Sequence, residues 1–220
     1  MADKSIKNTE LYEERFGFKE RNSTFRYLLV LLTLFLLIFG ARIYFTTAFS
    51  GVVVDGKSMN HTLQDNQRLL MRPTDEKHKA DYGDIIVVYV GEYPEFQGKD
   101  DPDYLIKRLI AKGGDKVYCT DGQVYVQYGG VGEFVALNEP YAYYINGKEA
   151  YDFPLYEVGA DEVFFLGDNR QNSMDSRYPT YSRLEDKLYK EEDICGIVPD
   201  WAVKYDNVLS FFFFPVEKNK

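Results

Sequence analysis

The chain has 220 residues, of which 45% are hydrophobic and 16% aromatic, enough apolar mass for one sizeable domain plus an anchor and too much for global disorder. A net charge of -9 with no block of lysine or arginine excludes a general nucleic-acid binder, whose affinity rests on neutralising phosphates. The two cysteines, Cys119 and Cys195, form no CxxC and have no histidine neighbours, which argues against a structural zinc site; they read either as a disulfide or as two small buried apolar residues.

Residues 1–26 are polar and carry Lys4, Lys7, Arg15, Lys19, Arg21 and Arg26. The apolar run Tyr27 to Phe45, YLLVLLTLFLLIFGARIYF, follows. About 20 residues at 1.5 Å each match a hydrocarbon core of roughly 30 Å. Its one charge, Arg42, sits near the end, where a long side chain reaches the interface. No small-x-small cleavage site follows, which favours an anchor over a removed leader. Only Lys57 is basic in the comparable stretch after Phe45, so the positive-inside rule predicts a cytoplasmic N-terminus and an extracytoplasmic domain over 46–220.

Beyond the anchor the pattern is short apolar runs broken by turn residues. Strands are predicted at Gly51 to Val54, Arg68 to Arg72, Asp84 to Val90, Tyr104 to Ala111, Lys116 to Thr120, Val124 to Tyr128, Glu162 to Leu166 and Leu209 to Pro215. Asp121-Gly122 and Asn146-Gly147 read as hairpin turns, and Glu92 to Asp103 as a loop between two strands. A helical period shows only over Tyr181 to Glu192. The fold expected is mainly antiparallel β with one N-terminal transmembrane helix. The tyrosine-rich stretch 129–161 reads as an extension or subdomain. The run LSFFFFPVEK is too short to span a membrane as a helix and reads as a terminal strand.

Three segments carry chemistry. In VVVDGKSMNHTL, Ser58 sits in a tight turn two residues after Gly56. A serine needs a base to attack, and His61 is only three residues away, too local for the usual triad layout, while His78 lies in a charged loop. In DYLIKRLIAKGGD, strand alternation puts Lys107 on a face with Leu105 and Leu109, and Arg108 with Tyr104, Ile106 and Ile110. A lysine buried there loses its proton more easily, because desolvation penalises the charged form; the bland alternative is a lysine snorkelling off a strand edge. In FFLGDNRQNSMDSR, the residues Asp168, Asn169, Arg170, Asn172, Ser173, Asp175, Ser176 and Arg177 crowd into ten positions after Gly167. They form either an ordinary Asx- and Ser-laced loop or a shell that holds a site.

Taken together, SMNHTL, YGDIIVV, YLIKRLIAKGGD and GDNRQNSMDSR, in that order behind an anchor, resemble the bacterial type I signal peptidases, Ser-Lys membrane proteases of the Gram-positive single-anchor type. The resemblance implies Ser58 as nucleophile, Lys107 as general base and Ser173 as the hydroxyl that orients the lysine. It implies supporting ion pairs Asp175–Arg177 and Arg108–Asp168, Met59 packed beside the nucleophile, and an oxyanion hole from the backbone at Ser58 and Gly56. It further implies cleavage of secretory preproteins after Ala-x-Ala-type small residues at the bilayer surface of the bacterial cell membrane, with no metal or other cofactor. Relatives carry proline where this chain has His61, which puts the geometry of that turn in question. A catalytically idle tethered binding or assembly-helper module is the competing reading. A self-cleaving Ser-Lys repressor would need a DNA-binding domain where this chain has an apolar run. Oligomeric state is not written in the sequence.

Overall fold

The computed structural model describes residues 2–93, 96, 98, 103–177 and 189–204. Two compact units are formed, Met1–Thr47 and Ala48–Lys220. The first is dominated by helix α1, Ala2–Ala48. Within it Ser23–Ala48 spans 26 residues, long and apolar enough to cross a membrane. Its threonine hydroxyls are satisfied by the helix itself: Thr33 Oγ1 donates to the Leu29 carbonyl (2.8 Å) and Thr46 Oγ1 to that of Arg42 (2.9 Å). The hydroxyls of Thr33, Thr46 and Thr47 are thus not left bare in an apolar surround.

The second unit is antiparallel β. Its strands are β1 Ser50–Val53, β2 Arg68–Pro73, β3 Ile85–Tyr89, β4 Tyr104–Lys112, β5 Lys116–Thr120, β6 Gln123–Gln127, β7 Val135–Ala136, β8 Phe153–Glu157, β9 Glu162–Leu166, β10 Tyr189–Lys190 and β11 Ile194–Val198, followed by a short helix α2, Asp200–Lys204. Seven strands make one sheet in the order β1-β2-β11-β3-β4-β9-β10, and four make another in the order β7-β6-β5-β8.

Strands β4 and β9 belong to two cores at once. Leu105, Leu109, Val163 and Phe165 join Ile86, Val88 and Ile194 in one cluster. Ile110, Ala111, Phe164 and Leu166 join Val117, Val124, Val126 and Phe153 in the other. A strand buried on both faces reads as a continuous apolar run, which is the sequence of β9, EVFFL. The seven strands predicted before residue 170 all form, within two residues at each end.

Four strands escaped the sequence reading. β11 is central, between β2 and β3, yet ICGIV is interrupted by Gly196. A Cβ there would press on β2, 2.8 Å from Met71 Sδ and 3.0 Å from the Arg72 carbonyl oxygen. β8 contains Pro154 and is an edge strand, the place where a sheet tolerates proline. β7 and β10 are two residues each, too short for any period. Residues 129–161 supply β7 and β8, the flanks that turn the β5–β6 hairpin into a four-stranded sheet.

Asp121-Gly122 closes that hairpin with both residues at positive φ (48° and 68°), the requirement of a two-residue primed turn. Asn146-Gly147 makes no hairpin: β7 and β8 on either side do not pair with each other, and the Asn146 amide donates to Gln171 Oε1 (2.7 Å). The helix expected over Tyr181 to Glu192 is not formed where it is described: Tyr189–Lys190 is β10 and Glu191–Asp193 a 3-10 turn. Its remainder, and the strand expected at Leu209 to Pro215, lie outside the described residues. Cys119 and Cys195 are both free thiols, so no disulfide joins them.

Candidate active site

Ser58 lies on the loop that connects β1 to β2. The loop is closed at its neck by Val54 N–H to the Gln67 carbonyl (2.9 Å) and Asn66 N–H to the Val54 carbonyl (2.8 Å). Asn66 takes positive φ (63°), which asparagine tolerates. Val54, Met59 and Leu63 are buried and plug the loop onto the body of the domain. Met59, at 1% exposure, therefore fixes the residue next to Ser58 by apolar packing.

Lys107 arrives from β4. Its cross-strand partner on β3 is the fully buried Ile86, so the side chain starts in an apolar face. It is 3% exposed, and its Nζ lies 2.9 Å from Ser58 Oγ and 3.0 Å from the Ile106 carbonyl oxygen. Burial pulls its pKa down from 10.5 to about 8, against the opposing pull of Asp175 and Asp168. Neither carboxylate forms an ion pair with it. Desolvation wins because these charges act at a distance.

The neighbouring cations are held differently. Arg108 Nε and Nη2 grip Asp168 at 2.8 and 2.6 Å, Nη1 donates to the Gly83 carbonyl (2.7 Å), and the guanidinium lies 3.8 Å from the centre of the Tyr141 ring. Burial alone would lower the Arg108 pKa, but the hydrogen bonds and charge of Asp168 outweigh it and raise it. Arg177 Nε and Nη2 bond Asp175 at 2.7 and 3.0 Å, while Asp175 Oδ2 also accepts from Gly167 N–H (3.0 Å). Both ion pairs expected from the sequence thus exist as contacts.

Several contacts went unseen in the sequence. Arg170, with no exposed surface, is paired with Glu139, its Nη2 2.5 Å from Oε1. Thr62 Oγ1 donates to Asp168 Oδ2 (2.5 Å), tying the Ser58 loop to the Arg108 pair. Asn169 donates its backbone N–H to the Ser58 carbonyl (2.9 Å) and its Nδ2 to the Lys57 carbonyl (3.0 Å). Tyr143 donates its N–H to the Asp168 carbonyl (2.7 Å) and its carbonyl accepts from Arg170 N–H (2.9 Å), so the 129–161 stretch is stitched to the 168–170 loop. The only sequence signal for these was the density of polar residues after Gly167, which names no partner.

Two expected roles look different in the structure. Ser173 is buried beside the site, but its hydroxyl makes no hydrogen bond to Lys107 or to any other described residue. It packs against Gly167, where a Cβ would come within 2.2 Å of Ser173 Oγ and 2.6 Å of the Ser58 carbonyl oxygen. Gly56 has its N–H committed to Asp65 Oδ1 (2.9 Å) and so offers no donor to an oxyanion; its contribution is a positive φ of 86°. The Ser58 amide has no acceptor among the described residues, which leaves it free for that purpose. His61 does not touch Ser58 as a base: its ring packs edge-on against Tyr143, centroids 4.1 Å apart. Among the described residues no cluster of three or more His, Cys, Asp or Glu is placed to hold a metal ion.

A serine hydroxyl in contact with a buried amine of lowered pKa, set on an antiparallel β scaffold, is an arrangement that can pair a nucleophile with a base, as serine hydrolases require. The profile of the family described as signal peptidase, peptidase S26 matches residues 24–200. The chain belongs to that family. It is 35% identical over 132 residues to signal peptidase I P of Bacillus subtilis subsp. natto, covering 59% of this chain and 66% of that relative, just under two thirds of its length. Signal peptidase I T of Bacillus subtilis (strain 168) is 31% identical over 142 residues, 64% of this chain and 69% of the relative. A signal peptidase I structure from Enterococcus faecalis V583 overlaps 56% of this chain and 98% of its own, with a TM-score of 0.40 and 24% identity.

Proposed function

We propose that this chain is a membrane-anchored serine endopeptidase that removes signal peptides from secreted preproteins. The observation that carries the reading is the 2.9 Å approach of Lys107 Nζ to Ser58 Oγ, made by an amine whose pKa is drawn to about 8. In the neutral state the serine hydroxyl donates to the lysine lone pair. As Ser58 attacks the scissile carbonyl, that proton passes to Lys107, and the developing oxyanion is met by the Ser58 amide. Ser173, whose hydroxyl is unengaged at rest, receives the ammonium that forms. Lys107 then protonates the leaving amine, and water clears the acyl-enzyme.

Ion pairs Arg108–Asp168 and Asp175–Arg177 hold the strand and loop that carry Lys107 and Ser173. The apolar helix sets the chain in the bacterial cell membrane, N-terminus inside by its lysines and arginines, catalytic unit outside. The cut is expected after small side chains of the Ala-x-Ala type. The test is cleavage of a panel of preproteins by the full chain in detergent, with mass spectrometry of the new N-termini. Wild type should cut after Ala-x-Ala and Ser58→Ala should not; equal cutting by both would overturn the proposal.

A further inference from the structure

The oxyanion donor needs a fixed direction, and the structure shows what supplies it. The Lys57–Ser58 peptide is planar and trans, so its carbonyl and its N–H point to opposite sides. The Lys57 carbonyl is held twice, by Asn169 Nδ2 at 3.0 Å and by Asn60 N–H at 3.1 Å. Both its lone pairs are thereby occupied, and the plane cannot rotate about its flanking bonds without losing both bonds. The next carbonyl, that of Ser58, is held by the Asn169 backbone N–H at 2.9 Å. One residue therefore grips two successive carbonyls on one side of the nucleophile, and the Ser58 N–H is turned to the other.

The cost of the grip is visible in the same side chain. Asn169 is 3% exposed, and its Oδ1 has no hydrogen-bond partner among the described residues. The reverse setting of the amide would face its oxygen against the Lys57 oxygen, two acceptors in contact, so the observed setting is the one the site requires. Gly56, the other backbone donor nearby, is committed to Asp65, so the turn relies on the Ser58 amide.

We infer that Asn169 is a positioning residue for the oxyanion donor: it sets the Lys57–Ser58 peptide so that the Ser58 N–H faces the transition state. This rests on the proposed Ser58–Lys107 peptidase chemistry. The role is specific to the tetrahedral state, because a planar substrate carbonyl does not yet carry the charge the amide serves.

A peptide ending in Ala-x-Ala aldehyde provides the probe. Ser58 Oγ adds to the aldehyde carbon, the carbonyl electron pair becomes an alkoxide at the oxyanion position, and the serine proton goes to Lys107. The matching peptide alcohol binds the same cleft without forming that adduct. In Asn169→Ala, full chain in detergent, kcat for a preprotein should fall about 10²–10³-fold, with KM within twofold. Aldehyde affinity should fall by a similar factor, while alcohol affinity and the pH-rate midpoint near 8 stay in place. Asn169→Asp keeps the side-chain volume but sets a second oxygen against Lys57; it should show the same pattern and serves if the alanine variant loses its cooperative melt. Unchanged kcat and aldehyde affinity would overturn the inference. So would an equal loss of alcohol binding or a moved pH midpoint, which would make Asn169 a cleft-shaping residue. A wild-type chain that neither cuts preprotein nor binds the aldehyde would instead bring down the peptidase reading, and this inference with it.

Discussion

Positions 107 and 108 are consecutive on one strand and both side chains are buried, yet the two sides of β4 treat a cation in opposite ways. On one, Arg108 has a carboxylate at 2.6–2.8 Å, a carbonyl and an aromatic face, and its charge is secured. On the other, Lys107 has a hydroxyl and a carbonyl but no anion in contact, and its charge is easily given up. The same contrast extends across the loop after β9, where Arg170 and Arg177 are each matched to an acid. Of Arg108, Arg170, Arg177 and Lys107, Lys107 alone has no acid in contact among the described residues, which suits it to the proposed role of base. Arginine suits the paired positions, since its planar fork binds a carboxylate at two points and does not release its proton at physiological pH.

The comparison can be broken in graded steps. The largest effect should come from Lys107→Arg, which keeps a cation but offers no base; turnover should fall about 10⁴–10⁶-fold, as for Ser58→Ala. Preprotein cleavage by Lys107→Arg within tenfold of wild type would sink the contrast. Next is Asp168→Asn, which leaves Arg108 buried and unmatched; a loss of about 3–5 kcal/mol is expected, read as a fall in melting temperature. Lys107→Met should act the other way. A folded pKa near 8 against an ordinary 10.5 means the unfolded chain holds more protons in between, so folding costs about 3 kcal/mol below pH 8. Stability should rise with pH from about 8 to 10.5 in wild type, and the advantage of Lys107→Met should shrink over that window. A flat difference between the two proteins from pH 7 to 10.5 would contradict the buried-amine picture. For activity, kcat/KM should climb with pH through a midpoint near 8 as Lys107 becomes neutral. The smallest effect belongs to His61→Ala, which removes an exposed ring set edge-on against Tyr143 and should change the rate by no more than about threefold.

Local patterns carried the scaffold well and the interactions poorly. Alternation over Tyr104 to Ala111 was enough to place Lys107 among apolar residues, because a strand's period is a property of consecutive positions. Asp121-Gly122 announced its hairpin for the same reason. β11 was lost because Gly196, which admits β2, also interrupts the apolar run. Asn146-Gly147 looked like a hairpin because the dipeptide reports a backbone preference and not which strands it joins. Thr62 and Asp168 are 106 positions apart, and Asn169 and Lys57 are 112 apart. No spacing rule reaches so far, so the residues that tie nucleophile, base and loop together appear only once the chain is folded. The resemblance to a known family supplied Ser58 and Lys107, but it placed a donor at Gly56 where the structure shows one already in use.

Residues 129–161 have a further consequence. Through Tyr143 on Asp168 and Arg170, and Glu139 on Arg170, this stretch braces the loop that follows β9 and holds the Ser58 carbonyl. A change of length in the stretch away from Glu139 and Tyr143 would leave both moorings in place, and with them the loop that fixes the backbone on either side of Ser58.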